Sequence, residues 1–136
     1  MKKLILHSDG GARGNPGPAG IGAVLTTATG EVIAEISRYI GKTTNNQAEY
    51  RALLAGLEKA KDLQVKDVVC YLDSELIVKQ LKGEYKVKNA DLKPLVASIH
   101  DLVTYFKEIS FTHVPRAQNK HADALVNKAI DLAVTI

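Results

Sequence analysis

Four acidic residues stand where an apolar run stops or a helix is expected to begin. Asp9 follows Leu4-Ile5-Leu6-His7-Ser8, Glu49 closes Thr44-Asn45-Asn46-Gln47-Ala48, Asp73 follows Val68-Val69-Cys70-Tyr71-Leu72, and Asp123 closes Asn119-Lys120-His121-Ala122. Brought together they would form a site for divalent metal. A lone buried carboxylate is costly, and several in one place raise one another's pKa unless a cation neutralises them. Two carboxylates ~5 Å apart repel by roughly 3 kcal/mol at an effective dielectric of ~20, a large fraction of the stability of a small domain. An all-oxygen donor set selects hard cations, so magnesium, or manganese in its place, is expected rather than zinc.

Each acid taken singly has an ordinary structural explanation. Asp73 ahead of Ser74 could cap a short helix, and Glu49 and Asp123 fall in expected first turns, where the helix dipole accepts negative charge. Asp9 ahead of Gly10-Gly11 could be a turn residue. The joint pattern is what points to a metal-dependent enzyme.

Other chemistries find less support. The stretch Gly10-Gly11-Ala12-Arg13-Gly14-Asn15-Pro16-Gly17-Pro18 reads as a loop, but it has neither the spacing of a phosphate loop nor a helix after it. Gly10 and Gly11 beside Asp9 would instead let the backbone of a bulky polymer approach the metal. Zinc spacing of His and Cys is absent, and Ser8 and Ser74 read as turn or cap residues rather than nucleophiles. His7 and His100 are expected in packing or surface roles, and His113 and His121 merely flank the last acidic motif. The only cysteine, Cys70, lies in an apolar run and is expected to be a buried thiol in a reducing compartment.

The elements that must position the acids follow from periodicity. Leu4 to Ser8 reads as a buried strand, and Ile21 to Thr27 with Glu31 to Ile40 as a hairpin turning at Thr29-Gly30. From about Asn46 to Asp62 the spacing is helical, with Leu53, Leu54, Leu57 and Ala60 on one stripe and Glu49 one turn ahead of Leu53. Asp67 to Leu72 reads as an interior strand ending at Asp73, and Ser74 to Lys82 as a short helix closed by Gly83. Leu92, Leu95, Val96, Ile99, Leu102, Val103 and Phe106 predict a long helix with Pro94 in its first turn. A strand from Glu108 to Val114 and a last helix, its apolar face Ala122, Leu125, Val126, Ala129 and Ala133, complete the chain. The order β-β-β-α-β-α-α-β-α predicts an α/β fold with a five-stranded mixed sheet, one antiparallel hairpin plus parallel strands, covered by helices. Ligands of such sheets gather beyond the carboxyl ends of parallel strands, where Asp9 and Asp73 are expected.

The bulk properties set the bounds. The 136 residues fit a single domain, 1–136, able to bury roughly two-thirds of its unfolded surface. With 46% hydrophobic and 24% charged residues the chain is an ordinary globular one. A net charge of +3 excludes a strongly basic tether, while Lys79, Lys82, Lys86, Lys88 and Lys93 still form a local basic cluster that charge alone reads as a solvated surface. Neither a signal peptide nor a membrane-length apolar stretch is expected, which predicts a cytoplasmic protein.

The motifs Ser8-Asp9-Gly10-Gly11-x-x-Gly14-Asn15-Pro16-Gly17, Thr44-Asn45-Asn46-Gln47-Ala48-Glu49, Leu72-Asp73-Ser74 and Asn119-x-x-Ala122-Asp123 resemble those of type 1 ribonuclease H, in order and across essentially the whole chain. The resemblance implies a ribonuclease H-like sheet with helices on both faces and an endonuclease that hydrolyses the RNA strand of RNA/DNA hybrids with two divalent metals, leaving 3′-hydroxyl and 5′-phosphate ends. By the same resemblance Asp9 would bridge both metals, Glu49 and Asp73 would hold the one near the leaving oxygen, and Asp123 the one that activates water. Asn15, Asn45 and Asn46 match positions that contact the minor groove, and Thr44 a position near the DNA-strand phosphate.

Two departures from the family stand out. The basic, tryptophan-containing protrusion of many bacterial members is replaced by Gly83-Glu84-Tyr85-Lys86-Val87-Lys88-Asn89, and Arg116 stands in the loop region where many members carry a mobile histidine. An arginine holds its proton near neutral pH, so it would contact phosphate rather than shuttle protons. The expected partner is the RNA/DNA hybrid, with duplex RNA as a further candidate and no obligate protein partner. The rival readings are a module that grips hybrid or duplex RNA without cutting it, and a DNA-acting nuclease of the same architecture.

Overall fold

The computed structural model describes residues 3–135; Met1, Lys2 and Ile136, the ends of the expected 1–136 domain, lie outside the described residues. Five strands form one sheet in the order β3-β2-β1-β4-β5, with β1 at Lys3–Ala12, β2 at Gly17–Thr26, β3 at Val32–Thr43, β4 at Asp67–Leu72 and β5 at Glu108–His113. β1, β2 and β3 pair antiparallel, whereas β1 with β4 and β4 with β5 pair parallel. The helices are α1 at Asn45–Asp62, α2 at Glu75–Leu81, α3 at Lys93–Val103 and α4 at Lys120–Val134.

Alternation along β1 divides the molecule into two layers about the sheet. Leu4 and Leu6 are fully buried and share a core with Leu53 and Leu57 of α1, Leu72 of β4 and Ile99 of α3. The opposite face of β1 and β2 is covered by α4, whose Ala122, Leu125, Val126, Ala129 and Ile130 are buried. Cys70 lies within the first of these cores with no exposed surface, and burial pushes its thiol pKa up, so it is an inert core residue.

Several element boundaries differ from the sequence reading for local reasons. Gly10–Ala12 and Gly17-Pro18 are not loop: Gly10–Ala12 extend the β1–β2 ladder beyond Asp9↔Gly22 through Gly10↔Ile21, Gly11↔Gly20 and Ala12↔Ala19, while Gly17 and Pro18 pair with Thr43 and Lys42 of β3. Glycines give no apolar alternation to read, yet here they pair backbone to backbone. Asp9 therefore lies inside β1 rather than at its end. Helix α1 starts at Asn45, its N-cap Thr44 accepting a hydrogen bond from the Gln47 N–H at 3.3 Å, so Glu49 lies beyond the first turn, which holds no acid. Helix α3 stops at Val103, and Phe106 reaches the core from the connection that follows it. Ala133, expected on the apolar face of α4, is only half-buried.

Candidate functional site

Two glycines let helices approach the sheet on either side of Asp9. A Cβ at Gly10 would lie 2.2 Å from the backbone C and O of Ala48, so α1 sits directly on β1 and its next residue, Glu49, is delivered beside Asp9. Gly10 provides that contact and also lines the cleft that the acids share. Gly11 is under no such constraint, since a Cβ there would meet only Val126 Cγ1 at 3.7 Å. On the other face Gly22, the cross-strand partner of Asp9, would bring a Cβ to 2.3 Å from the Ala122 carbonyl oxygen. The first turn of α4 therefore rests on β2, and Asp123 follows Ala122 into the site.

Asp73 arrives from the sheet itself. β1 and β4 run parallel in the register Ile5↔Val69 and His7↔Tyr71, and Asp73 immediately follows β4 beside the continuing β1. The His7 and Tyr71 rings lie 5.1 Å apart just below the acids, and burial, with the charge of His121 second, lowers the pKa of His7. Ser74, not Asp73, caps α2, accepting a hydrogen bond from the Ile77 N–H at 3.3 Å. Asp73 is thus left to face the cleft.

That cleft, about 440 Å³, is lined by all four acids together with Gly10, Gly11, Asn45 and Arg116. Arg13, Asn127 and Ile130, which the sequence reading did not single out, also line it, as does Val126, expected only on the apolar face of the last helix. No acidic or apolar periodicity marks the two polar ones. Asn15, Thr44 and Asn46 stand outside the lining, although Asn15 is tied to it: its Oδ1 accepts from the Asn45 N–H at 3.0 Å, and Asn45 Oδ1 in turn accepts from the Ala12 N–H at 2.7 Å.

The electrostatics are those of carboxyl groups crowded together in a partly buried cleft. Burial first, then the charge of Asp73, the nearby carboxyl of Asp123 and the charge of Glu49, push the Asp9 pKa up to about 8. Burial and Asp73 raise Glu49 to about 7, an effect the Ser74 hydroxyl opposes. The only cation paired to an acid of the cleft among the described residues is Arg116, 3.3 Å from Asp123 and itself largely exposed. An oxygen-only donor set in which Asp9 and Glu49 hold their protons toward neutrality suits a hard divalent cation, which would replace those protons. No three His, Cys, Asp or Glu side chains among the described residues already surround one ion position, so the fit is of charge and donor type.

Asn119 is the residue whose role the spacing did not disclose. It is buried ahead of α4, and its Nδ2 donates to the Ser8 carbonyl at 2.8 Å. The remaining histidines stay outside the cleft. His121 pairs with Glu35 of β3, while His100 and His113 are exposed. Among the basic cluster Lys79 is engaged by Glu75 at 3.0 Å and lies 5.0 Å from the Tyr85 ring centroid, and Lys82, Lys86, Lys88 and Lys93 are exposed.

The family described as reverse transcriptase-like matches residues 7–129. A bifunctional protein of Mycobacterium tuberculosis is 47% identical over 132 residues, covering 96% of this chain, and the chain spans only 36% of that protein's length. The ribonuclease H of Prosthecochloris aestuarii is 43% identical over 146 residues, covering 95% of this chain and 96% of its own. The solved structure of LC11-RNase H1 in complex with RNA/DNA hybrid superposes with a TM-score of 0.92 at 47% identity, covering 96% of this chain and 99% of that one. No helix among the described residues is long and apolar enough to cross a membrane.

Proposed function

We propose that this chain, which belongs to the ribonuclease H family, is an endonuclease that hydrolyses the RNA strand of RNA/DNA hybrids, leaving 3′-hydroxyl and 5′-phosphate ends. The observation that carries the reading is the meeting of Asp9, Glu49, Asp73 and Asp123 in one cleft beside the Asn15–Asn45 pair. Similarity to a protein solved with a hybrid in place supports the substrate class.

The four carboxylates would hold two magnesium ions, with manganese as a substitute. Such ions supply Lewis-acid stabilisation to the attacking and leaving oxygens of an in-line displacement. The chain's own part is to fix the donors: Asp9 from the centre of the sheet, Asp73 from the end of β4, and Glu49 and Asp123 from helices pressed onto Gly10 and Gly22. Arg116 stands beside Asp123, where its guanidinium would meet phosphate rather than carry protons.

Recognition of the hybrid would fall to Gly10, Gly11, Asn15, Thr44, Asn45 and Asn46, together with Arg116. The Oδ1 atoms of Asn15 and Asn45 are occupied by backbone N–H groups, which leaves their amide N–H donors for substrate. Donors of this kind suit the acceptors of the minor groove and the oxygen of a 2′-hydroxyl, the group that separates RNA from DNA. The buried single cysteine fits a reducing, cytoplasmic setting.

Cleavage of labelled RNA/DNA, RNA/RNA and DNA/DNA duplexes with magnesium, manganese or chelator tests the reading. Metal-dependent cutting confined to the RNA strand of the hybrid is expected. Binding without cutting would leave a recognition module in its place, and preferential cutting of DNA/DNA would make the chain a DNA nuclease.

A further inference from the structure

We propose that Arg13 binds a backbone phosphate of the nucleic acid at a second point of the cleft, about two turns of α4 away from the acidic centre. The proposal rests on the reading of the chain as a hybrid-acting nuclease and adds to it a contact that sets affinity.

Arg13 opens the short turn between β1 and β2, and its backbone is fixed. Its N–H donates to the Pro18 carbonyl at 2.8 Å, and the preceding Ala12 N–H donates to Asn45 Oδ1 at 2.7 Å, which ties the turn to the start of α1. From this anchored base the guanidinium lines the same cleft as the acids and crosses to α4, with Nη2 2.6 Å from Asp131 Oδ1 and 3.5 Å from Asn127 Oδ1. Asp131 lies eight residues beyond Asp123, roughly 12 Å along the helix. Arg116 on Asp123 and Arg13 on Asp131 therefore place one guanidinium at each end of the wall that α4 gives the cleft.

The Arg13–Asp131 pair is poorly explained as a stabilising device. The two side chains are 43% and 60% exposed, and an ion pair so open to solvent contributes little to stability. The contacts to α4 use one terminal nitrogen of a group with five N–H donors. A phosphodiester matches the planar fork in two parallel bonds and takes the guanidinium from a single carboxylate oxygen. Such a contact carries no sequence information, but it fixes where the strand lies relative to the carboxylates.

The test compares wild type with Arg13→Ala, Arg13→Lys, Asp131→Asn and the double variant Arg13→Ala/Asp131→Asn, on one hybrid over a range of salt, with thermal unfolding as a check on the fold. Arg13→Ala is expected to raise KM about fivefold or more with the loss falling on KM rather than kcat, and to reduce the slope of log affinity against log salt by about 1. Arg13→Lys keeps the charge but not the fork, and should fall between. Asp131→Asn is expected to lower KM by freeing the guanidinium, and to do nothing once Arg13 is gone. Neutral methylphosphonate links placed one at a time along the hybrid should reveal one position that weakens wild type and leaves Arg13→Ala unaffected. Cleavage by Arg13→Ala with KM and salt slope unchanged would overturn the proposal while leaving the nuclease reading intact, as would an equal rise in KM for Asp131→Asn. A wild type that neither binds nor cuts hybrid removes both.

Discussion

The side-chain amide of Asn119 donates to the backbone carbonyl of Ser8 at 2.8 Å, with both residues buried. This bond ties the residue before α4 to the residue before Asp9, so it sets the position of Asp123's helix against Asp9's strand. Neither partner meets solvent, and Asn119 Oδ1 and Ser8 Oγ are left without hydrogen-bond partners. Asn119→Ala is expected to cost about 1–3 kcal/mol of stability, since the Ser8 carbonyl would then be buried unpaired. It should also weaken magnesium-dependent protection from unfolding, because two of the four acids would lose their register. Thermal melts with and without magnesium check this, and an unchanged magnesium-induced shift would reduce Asn119 to a purely structural bond.

Close approach of α4 to β2 at Gly22 makes a second prediction. A methyl there would collide with the Ala122 carbonyl and with Leu125 Cβ at 2.9 Å, neither the far end of a flexible chain. Gly22→Ala should cost about 1–3 kcal/mol through overpacking and push Asp123 away from Asp9, lowering kcat. Gly11→Ala is the matched comparison for stability, since its added methyl meets only an ordinary contact with Val126. Urea unfolding of both variants checks this, and similar costs at the two positions would contradict it.

These two positions also show where sequence reading reaches and where it stops. The stripes of Leu53, Leu57 and Ala60 and of Ala122, Val126 and Ala129 announced their helices, and the apolar run Val68 to Leu72 its strand, because burial leaves a period in the side chains. Gly10, Gly11, Gly20 and Gly22 leave none. Gly10 to Ala12 read only as part of a glycine-rich loop, whereas Gly22 falls within the strand expected from Ile21 to Thr27, and so Asp9 is expected at a strand end rather than within the strand. The acids and asparagines were legible as motifs. Arg13 and Asn127 were not, because they meet across 114 residues of chain with no spacing to betray it.

Arg116 and Asp123 form the contact by which the loop before α4 reaches the site, at 3.3 Å. Arg116→Ala should lower kcat/KM by tenfold or more, on the order of 1.4 kcal/mol in the barrier, if the guanidinium meets phosphate during the reaction. Folding should be little affected, as an ion pair with one partner 78% exposed adds little to stability. Single-turnover rates separate this from slow product release, and wild-type rates in both regimes would remove Arg116 from the mechanism.

The acidic centre should make the metal-free protein less stable as pH rises. Asp9 at about 8 and Glu49 at about 7 stand above their ordinary values of 3.8 and 4.5, so between roughly pH 4 and pH 8 the folded chain holds protons that the unfolded chain has released. Stability from these groups is complete below their unfolded values and is lost as pH climbs through the folded ones. In chelator, the melting temperature of wild type should therefore fall relative to that of Asp9→Asn from pH 5 to pH 8, the variant lacking the larger of the two shifts. Magnesium should restore wild type most at the alkaline end, where a cation takes the place of departed protons, and should do less for Asp9→Asn. A wild type that tracks Asp9→Asn in chelator across that range would mean that the carboxylates do not press on one another, and the case for a cation between them would go with it.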